Sequence, residues 1–394
     1  MEQLAKRCFS RALAVAMPMR ANEPLDAVRD VTRVLLVRPN FRIGNTLMTA
    51  PLVHALAERF AGASIEMLAA DTTAPLLEHL PLGAVHVVSR RFVARPWEFV
   101  RLFRTLRRRR FDVAVDGGMG SFSGPLFALL AGARHRIGWT GAGDRFLTVR
   151  LDSARGDHVY DSAPAFARQL GQSCADRPIY EVSAHEVVAA ETRLAATSVY
   201  SDGAVRPFIA LFVGGHLAKR WPAECWIRLA SELARRDARY LVFAGPEEAD
   251  LALRLEASGH PVVSPGGLRA FAALLARATI VVTPDTGALH LSVALGRPTV
   301  ALLRQERSLR FRPRGASDVT LLRPNVADVM RAVMGHSDWP AVSSCRYDVA
   351  PGLSGTGRPL SGREPEDVDH RQRRESDPEG DDERRGDAAR RAGS

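Results

Sequence analysis

The sequence predicts an α/β protein built from two doubly wound halves, and three observations lead to this prediction. The chain has 394 residues, whereas a single hydrophobic core stops growing at roughly 250–300 residues, so two domains are expected. Hydrophobic residues make up 46% of the chain and charged residues 25%, which is typical of a globular protein. Short apolar runs rich in β-branched residues alternate with helical periods, and this alternation indicates parallel sheets covered by helices.

The alternation of strands and helices occurs twice along the chain. In the first half, the predicted strands and helices are at residues 34–37, 46–60, 65–69, 73–80, 85–88, 96–108, 113–115 and 124–131. In the second half, they are at residues 208–213, 223–235, 240–244, 247–257, 268–277, 280–283, 288–295 and 299–303. Helical patterns at 163–170 and 187–196 connect the two halves. We therefore predict an N-terminal domain at residues 29–185 and a C-terminal domain at 186–340.

Two terminal segments differ from these halves in composition. Residues 1–28 are cationic and weakly amphipathic, which indicates a surface helix or a disordered extension, with contact to a membrane surface as the alternative. Residues 341–394 are rich in Gly, Pro, Ser and mixed charge, with few bulky apolar residues. This composition predicts a disordered charged tail.

Charge and cysteine usage limit the environment and the partners. The formal net charge of +10 and the isoelectric point of about 10.2 favour anionic partners. We expect no nucleic acid among them, because the basic run at 104–110 lacks interleaved aromatic residues and no common DNA or RNA motif occurs. The four cysteines are scattered, so the sequence predicts neither a disulfide framework nor a metal site. With no apolar run long enough for a membrane span or an export signal, we expect a cytoplasmic protein.

Three loops that follow predicted strands carry candidate binding residues, since ligands of doubly wound sheets bind beyond the carboxyl ends of the strands. In GGHLAKRWP, paired glycines permit a close backbone approach and Lys219 can place a point charge on a diphosphate. In FAGPEE, Glu247 or Glu248 can accept hydrogen bonds from ribose hydroxyls or complement a helix dipole. In DTGALH, which begins at Asp285, the helix start can bind phosphate or serve as an ordinary N-cap.

The order and spacing of these loops resemble glycosyltransferase family 9, the heptosyltransferases of lipopolysaccharide core synthesis. The resemblance covers most of residues 31–333, and its segments are VLLVRPNFRIGNTLMTAP (34–51), FDVAVDGG through AGARHRIGW (111–139), KRWP (219–222), FAGPEE (243–248) and TPDTGALHLSVAL (283–295). It implies a GT-B fold, in which two Rossmann-like domains with parallel sheets face a central cleft, and no metal cofactor.

The activity that the resemblance implies is inverting glycosyl transfer. A heptose or related sugar would move from a nucleotide-sugar co-substrate, ADP-heptose by family default, to lipopolysaccharide core or another lipid-linked glycan. The enzyme would contact the inner membrane surface peripherally. The implied donor-binding residues are Lys219, Glu247, Glu248, Asp285, Thr286, Gly287, Ala288 and His290. Lys219 and the amides of Thr286, Gly287 and Ala288 would hold the diphosphate. One of the two glutamates would bind the ribose, and Asp285 would bind the sugar hydroxyls. His290 would be either a donor contact or a packing residue.

The first half carries the implied acceptor and catalytic residues. Arg38, Arg42 and Arg136 are suited to acidic sugars or phosphates of the acceptor. Family members usually have Asp as general base at the position where this chain has Asn45. An amide cannot accept the proton, and such assistance is typically worth about 10²- to 10⁴-fold. Asp116, in VDGG, is the best substitute by position, and its alternative role is to cap the loop after its strand.

Two alternatives follow from departures from known patterns. Asn45 favours a catalytically weak or silent homologue that binds a nucleotide sugar or glycan in a surface-polysaccharide assembly. LLRQERS at 302–308 differs from the Gly-Pro-Thr loop usual in the family, which leaves the donor open. A nicotinamide-dependent oxidoreductase is excluded, because the loop after the first strand has only Gly44 where the dinucleotide fingerprint needs three glycines.

Overall fold

The structure is a computed structural model that describes residues 19, 21–91, 94–152 and 156–337. Most of the predicted N-terminal extension and all of the predicted disordered tail lie outside the described residues.

The first sheet consists of six parallel strands in the order β3-β2-β1-β4-β5-β6. The strands are β1 (Arg33–Arg38), β2 (Ser64–Ala70), β3 (Ala84–Val88), β4 (Val113–Asp116), β5 (His135–Trp139) and β6 (Val149–Leu151). The helices of this half are α1 (Ile43–Thr49), α2 (Pro51–Arg59), α3 (Pro96–Arg109), α4 (Ser123–Leu130) and α5 (Ser162–Gln169). The central strand β1 is apolar and fully buried along 34–37, because helices cover both faces of the sheet.

The second sheet has the same topology, with the order β11-β10-β9-β12-β13-β14. A two-stranded hairpin, β7 (Tyr200–Ser201) and β8 (Ala204–Val205), precedes it. The strands are β9 (Ile209–Phe212), β10 (Tyr240–Phe243), β11 (Val262–Val263), β12 (Ile280–Pro284), β13 (Thr299–Leu303) and β14 (Val319–Leu322). The helices are α6 (Ala184–Leu194), α7 (Ala223–Ala234), α8 (Ala249–Ala257), α9 (Leu268–Ala276), α10 (Gly287–Ala294) and α11 (Val326–Met334). In each sheet the strand order reverses beside the central strand, which opens a crevice at the carboxyl ends.

The predicted α/β class with parallel sheets is confirmed, and the eight predicted strands end within one residue of the observed ones. Strands β5, β6, β11 and β14 were not predicted, because they are short or carry polar residues in the strand. The helix predicted at 46–60 is two helices, since Pro51 has no amide hydrogen with which to continue α1. The helix predicted at 73–80 is only a 3₁₀ turn, Ala74–Leu77.

Each sheet has its own hydrophobic core, and a third cluster extends from the second half to α1 of the first. In this third cluster, Leu47 of α1 joins Phe208, Ala288 and Leu291. Helix α6 packs on α9 of the second half, and the domain boundary at 185/186 stays a prediction. Among the described helices, none is long and apolar enough to cross a membrane.

Candidate functional site

Helices α1 and α10 meet where the carboxyl ends of the two sheets face each other. A Cβ atom added to Gly44 would lie 2.2 Å from Cδ2 of His290, and one added to Gly287 would lie 2.8 Å from Cβ of Ile43. Such distances are too short for real Cβ contacts, so both positions need glycine. This close approach brings the starts of the two helices, next to Asn45 and Thr286, to one interface.

The Lys219 side chain lies in space beside the start of α10, although its loop precedes α7 in the sequence. Its Nζ atom is 2.6 Å from Oδ2 of Asp285 and 5.3 Å from the ring centroid of Phe311. The Asp285 side chain is buried, whereas the Lys219 side chain retains 30% of its exposure. An ammonium group held in this way between a carboxylate and an aromatic face is suited to receive a further anion.

The residues that flank Lys219 fix its loop to the protein. Trp221 is buried, its Nε1 donates a hydrogen bond to the Pro324 carbonyl at 3.1 Å, and its ring packs edge-on against Trp226. Arg220 donates to the Gly215 carbonyl. In the KRWP motif, arginine and tryptophan therefore anchor the backbone, and the lysine is the side chain presented to the cleft.

The segment 302–308, which departs from the family pattern, supports the same loop. Arg304 donates from Nη1 to the Arg220 carbonyl at 2.9 Å, and Gln305 donates from Nε2 to the Ala218 carbonyl at 3.4 Å. This departure therefore reinforces the position of Lys219.

The first turn of α10 offers two free amides. Thr286 is the N-cap, and its Oγ1 accepts a hydrogen bond from the Ala288 amide at 3.2 Å. The amides of Thr286 and Gly287 have no hydrogen-bond partner among the described residues, and they lie at the positive end of the helix dipole. Of the three amides expected to cradle a diphosphate, two are thus available and that of Ala288 is used for capping.

The two candidate glutamates have different surroundings. Glu248 is buried, forms an ion pair with Arg220, and accepts from the amides of Gly245 at 3.2 Å and Gly215 at 3.4 Å. Glu247 has 86% of its side-chain area exposed, with the nearest Arg220 nitrogen 3.7 Å away. Glu248 consequently holds the GGHLAKRWP and FAGPEE loops together, and Glu247 is the more exposed of the two carboxylates.

His290 connects the two halves in its neutral form. Its Nδ1 is 2.8 Å from the hydroxyl of Tyr160, and the ring is buried against Gly44. Burial lowers the pKa of His290 to about 4, and this outweighs the opposing effect of Asp285. The surroundings favour the packing role over a donor contact.

Sequence reasoning missed the segment around Tyr160, which lies in a region of weak strand and helix signals. His158 donates from Nε2 to the Arg312 carbonyl at 2.8 Å, and Asp161 accepts from both terminal nitrogens of Arg314 at 2.7 and 3.2 Å. The partners are more than 150 residues apart in the sequence. No local pattern could have revealed them.

Asp116 is enclosed at the end of β4. It is 1% exposed, and its Oδ1 accepts from the Gly118 amide at 2.9 Å. A Cβ atom on Gly124 would lie 1.9 Å from that oxygen. Burial raises the pKa of Asp116 to about 6, although the Gly118 bond and the charge of Arg38 oppose this. This geometry matches the alternative of loop capping, and the carboxylate is closed off from solvent.

The arginines proposed for the acceptor are in three different environments. Arg38 donates from Nε to the Asn45 carbonyl at 3.5 Å and faces Asp116, and burial lowers its pKa. Arg136 is buried and donates to the carbonyls of Ala133, at 2.8 Å, and Phe146, so the structure does not bring it to the cleft. Arg42, at the start of α1, is exposed, whereas Arg38 is partly buried and Arg136 is buried.

The side chain of Asn45 is half-buried on the first turn of α1 and makes no hydrogen bond with any residue that the structure describes. Its amide is therefore available to a ligand in the cleft. Within the described ranges, no three or more His, Cys, Asp or Glu side chains are grouped to hold a metal ion.

The residue composition adds a second signal for Lys219. Of 54 basic residues, only Lys6 and Lys219 are lysines. A chain that uses arginine almost everywhere else has an ammonium group at the start of α10, where a compact point charge suits a phosphate.

Comparisons with known proteins agree with this geometry. The model of glycosyltransferase family 9 (heptosyltransferase) matches residues 99–332, which is more than half of the chain. The chain is 26% identical over 302 residues to lipopolysaccharide heptosyltransferase 2 of Escherichia coli strain K12, a match that covers 68% of this chain and 82% of the relative.

Two solved structures from E. coli share the fold. The ADP-heptose lipopolysaccharide heptosyltransferase II superposes with a TM-score of 0.63 at 22% identity, over 77% of this chain and 97% of the other. A heptosyltransferase in complex with ADP-2-deoxy-2-fluoro heptose superposes with a TM-score of 0.60 at 23% identity, over 77% and 98%. These likenesses confirm the predicted GT-B fold, and the family match over residues 99–332 leads to one conclusion: the chain belongs to glycosyltransferase family 9, the heptosyltransferase family.

Proposed function

We propose that the chain transfers a heptose from ADP-heptose to lipopolysaccharide core, or to a similar lipid-linked glycan, with inversion at the anomeric carbon. The acceptor hydroxyl oxygen attacks this carbon and forms the new glycosidic bond. The bond to the diphosphate breaks, its electron pair leaves with the nucleoside diphosphate, and the proton of the hydroxyl passes to solvent. The related E. coli enzymes, one of which was solved with an ADP-heptose analogue, support this choice of donor and acceptor.

The observation that carries the proposal is the pairing of Lys219 with the start of α10. Lys219 Nζ is 2.6 Å from Asp285, the residue before the N-cap, so the ammonium and the free amides of Thr286 and Gly287 converge. We assign the diphosphate to these donors. Negative charge grows on the diphosphate as the glycosidic bond breaks, and preorganised donors stabilise it without reorganisation of solvent. Metal independence remains a prediction.

The ribose and the sugar are assigned from what remains exposed. Glu247 is solvent-accessible and follows β10, so we assign it to the ribose hydroxyls. Asp285 is buried against Lys219, and we assign it to a sugar hydroxyl that enters beside the lysine.

On the acceptor side, we assign Arg42 to a phosphate or carboxylate of the glycan and Asn45 to the reacting hydroxyl. Asn45 orients this hydroxyl through its amide but does not take its proton. Asp116 is not assigned as base, since the enclosed carboxylate caps its own loop. Positioning and leaving-group stabilisation then supply most of the rate acceleration.

Ligand-induced thermal shift tests the donor assignment, because a ligand that binds only the folded state raises its stability. We expect ADP and ADP-heptose to raise the Tm, and UDP-sugars and GDP-sugars to leave it unchanged. Lys219→Arg should lose most of the ADP shift while keeping its charge, since the planar guanidinium does not replace a point charge. The matched control Arg228→Lys, an exposed residue of α7, should keep the full shift.

Chemical labelling gives a second readout without a substitution. Acetylation of Lys219 should be blocked by ADP-heptose, whereas Lys6, the other lysine in the sequence, should be labelled equally with and without ligand. Labelling of Lys219 that is indifferent to every nucleotide sugar would reject the assignment.

Asn45 also supports a second candidate, a homologue that binds a nucleotide sugar without turning it over. The two candidates differ in a steady-state assay with ADP-heptose and a deacylated core acceptor. Release of ADP that depends on the acceptor supports the transferase, and binding without release supports the silent homologue.

A further inference from the structure

The outward face of α3 differs from every surface that the proposed reaction uses. Trp97 is 65% exposed and Val100 is 46% exposed, and Arg101, Arg104 and Arg108 are exposed on the same helix. These side chains line one shallow groove. A bulky aromatic side chain beside a row of cations on one helix face is the composition of helices that lie on a membrane surface.

Helical geometry places these residues in one stripe. Trp97, Arg101, Arg104 and Arg108 are separated by four, three and four residues, a spacing that puts side chains on one face. The opposite face of α3 packs into the hydrophobic core: Leu106 is fully buried, and Phe103 packs against the ring of Phe127. The stripe therefore has no partner within the described part of the chain.

The other arginines of α3 show what a structural arginine does in this helix. Arg107 donates from Nε to the Leu130 carbonyl at 2.9 Å, and Arg109 forms an ion pair with the buried Glu66. By contrast, the guanidinium groups of Arg101, Arg104 and Arg108 make no hydrogen bond or ion pair with any described residue. The outward face of α3 therefore carries three guanidinium groups that have no partner among the described residues.

The acidic residues of α3 do not offset this charge. Glu98 is the only one in the helix, and Arg95 pairs with it at 3.0 Å. The stripe from Trp97 to Arg108 is roughly 16 Å long at 1.5 Å per residue, so it matches an extended anionic surface better than a single phosphate.

We propose that this face of α3, the Trp97–Arg108 stripe, binds the anionic head groups of a phospholipid bilayer, with Trp97 inserted at the interface. Tryptophan is favoured at the boundary between water and lipid because it is large, apolar and carries one polar group. Each arginine near an anionic bilayer contributes about a fivefold gain in binding, or on the order of a hundredfold for three. The stripe has one aromatic residue at one end and no interleaved ones, which suits a flat lipid layer better than the stacked bases of a nucleic acid.

The position of α3 relates this surface to the site. A helix that follows a parallel strand begins at the carboxyl edge of the sheet, so the Trp97 end of α3 lies at the edge where α1 also begins. A chain bound through this stripe would present Arg42 and Asn45 toward a lipid-linked acceptor. This last point rests on the proposed function, whereas binding to lipid does not.

Vesicle flotation with the full chain tests the proposal without any sugar nucleotide, so a wrong donor or a silent site does not affect the result. The wild type should float with vesicles that contain phosphatidylglycerol and not with pure phosphatidylcholine. The triple variant Arg101→Gln/Arg104→Gln/Arg108→Gln should bind on the order of a hundredfold more weakly. The matched control Arg228→Gln/Arg239→Gln/Arg331→Gln removes the same charge from exposed positions of the second half and should bind like the wild type.

Fluorescence identifies the inserted residue. Lipids brominated near the head group should quench the tryptophan emission of the wild type, and Trp97→Phe should remove this quenching while the Tm stays unchanged. In a transfer assay, the triple variant should transfer sugar to a water-soluble acceptor at the same rate as the wild type. Its rate on an acceptor embedded in vesicles should be lower than that of the wild type.

Three outcomes would overturn the proposal: wild-type protein that ignores anionic vesicles, a triple variant that floats as well as the wild type, or unaltered quenching in Trp97→Phe. Tighter binding of the wild type to RNA than to vesicles at equal ionic strength, lost in the triple variant, would assign the stripe to nucleic acid instead.

Discussion

At the scale of single residues, the proposed site places an ammonium group at the donor diphosphate and an amide side chain, Asn45, at the acceptor hydroxyl. Lys219 is held by Asp285 and Phe311, and its loop by Trp221. Asn45, on the other hand, has no ionisable group, and the buried carboxylate of Asp116 accepts a hydrogen bond from Gly118 in its own loop.

Asn45→Asp should raise turnover. A carboxylate at this position takes the proton of the acceptor hydroxyl, and general-base assistance is worth about 10²- to 10⁴-fold. We expect a gain of at least about tenfold in kcat, measured as the initial rate of ADP release, and little change in the donor KM. Asn40→Asp is the matched control, since it makes the same charge change in the same loop and keeps an oxygen for the Arg42 amide. Equal turnover in Asn45→Asp and the wild type would mean that base assistance does not limit this enzyme.

At the scale of secondary-structure elements, the contact between α1 and α10 positions both subsites. Gly44 lies against His290, and Gly287 lies against Ile43. A change in the distance between these two helix backbones would move the amides of Thr286 and Gly287 relative to Asn45. The two glycines therefore affect the geometry of the site and take no part in the chemistry.

Gly44→Ala should destabilise the protein, because the added methyl would lie 2.2 Å from the buried ring of His290. Overpacking of this kind costs about 1–3 kcal/mol, which lowers Tm by several degrees. Gly267→Ala is the control: its Cβ would meet nothing within 4 Å and its backbone is extended, at φ −76°. Calorimetry of the two variants checks the prediction, and equal Tm values would show that α1 and α10 are not in close contact.

At the scale of the whole molecule, contacts between residues far apart in the sequence join the two halves. His290 with Tyr160 and Asp161 with Arg314 all pair residues of different halves. His290 must be neutral to remain buried, so the contact between the two halves responds to pH.

The contribution of His290 to the free energy of unfolding should fall as the pH drops from about 6.5 to 4, so the wild type should lose more stability over this range than His290→Asn. The pKa of His290 is about 4 in the folded state against 6.5 for an ordinary histidine, so the unfolded chain binds the proton first and acid favours unfolding. The full contribution, about 3 kcal/mol, is present above pH 6.5 and is lost as the pH falls through 4. His290→Asn keeps a polar partner for Tyr160 without a titratable ring. Denaturant unfolding of both proteins across this range should give converging stabilities, and parallel curves would contradict the assignment.

The sequence by itself determined the class of the fold and the positions of the main loops. Apolar runs with a period of two and helical runs with a period near 3.6 are local properties, so β1, β4, β9 and β12 could be placed within one residue. Lys219, Glu247 and the start of α10 follow such strands, and they could be predicted for the same reason.

Only the tertiary structure decided which candidate side chains face the cleft. Glu247 and Glu248 are adjacent in the sequence, yet one is exposed and the other pairs with Arg220. Arg42 and Arg136 are both arginines, but Arg136 is buried and donates hydrogen bonds to backbone carbonyls of its own half. The partner of Glu248 lies 28 residues away in the sequence, and the carbonyls that enclose Arg136 come together around it only in the folded backbone near β5. A buried charge needs such a partner, because burial without one is costly. A local pattern contains no record of that partner, which is why the site could be located from the sequence but its members could be chosen only from the fold.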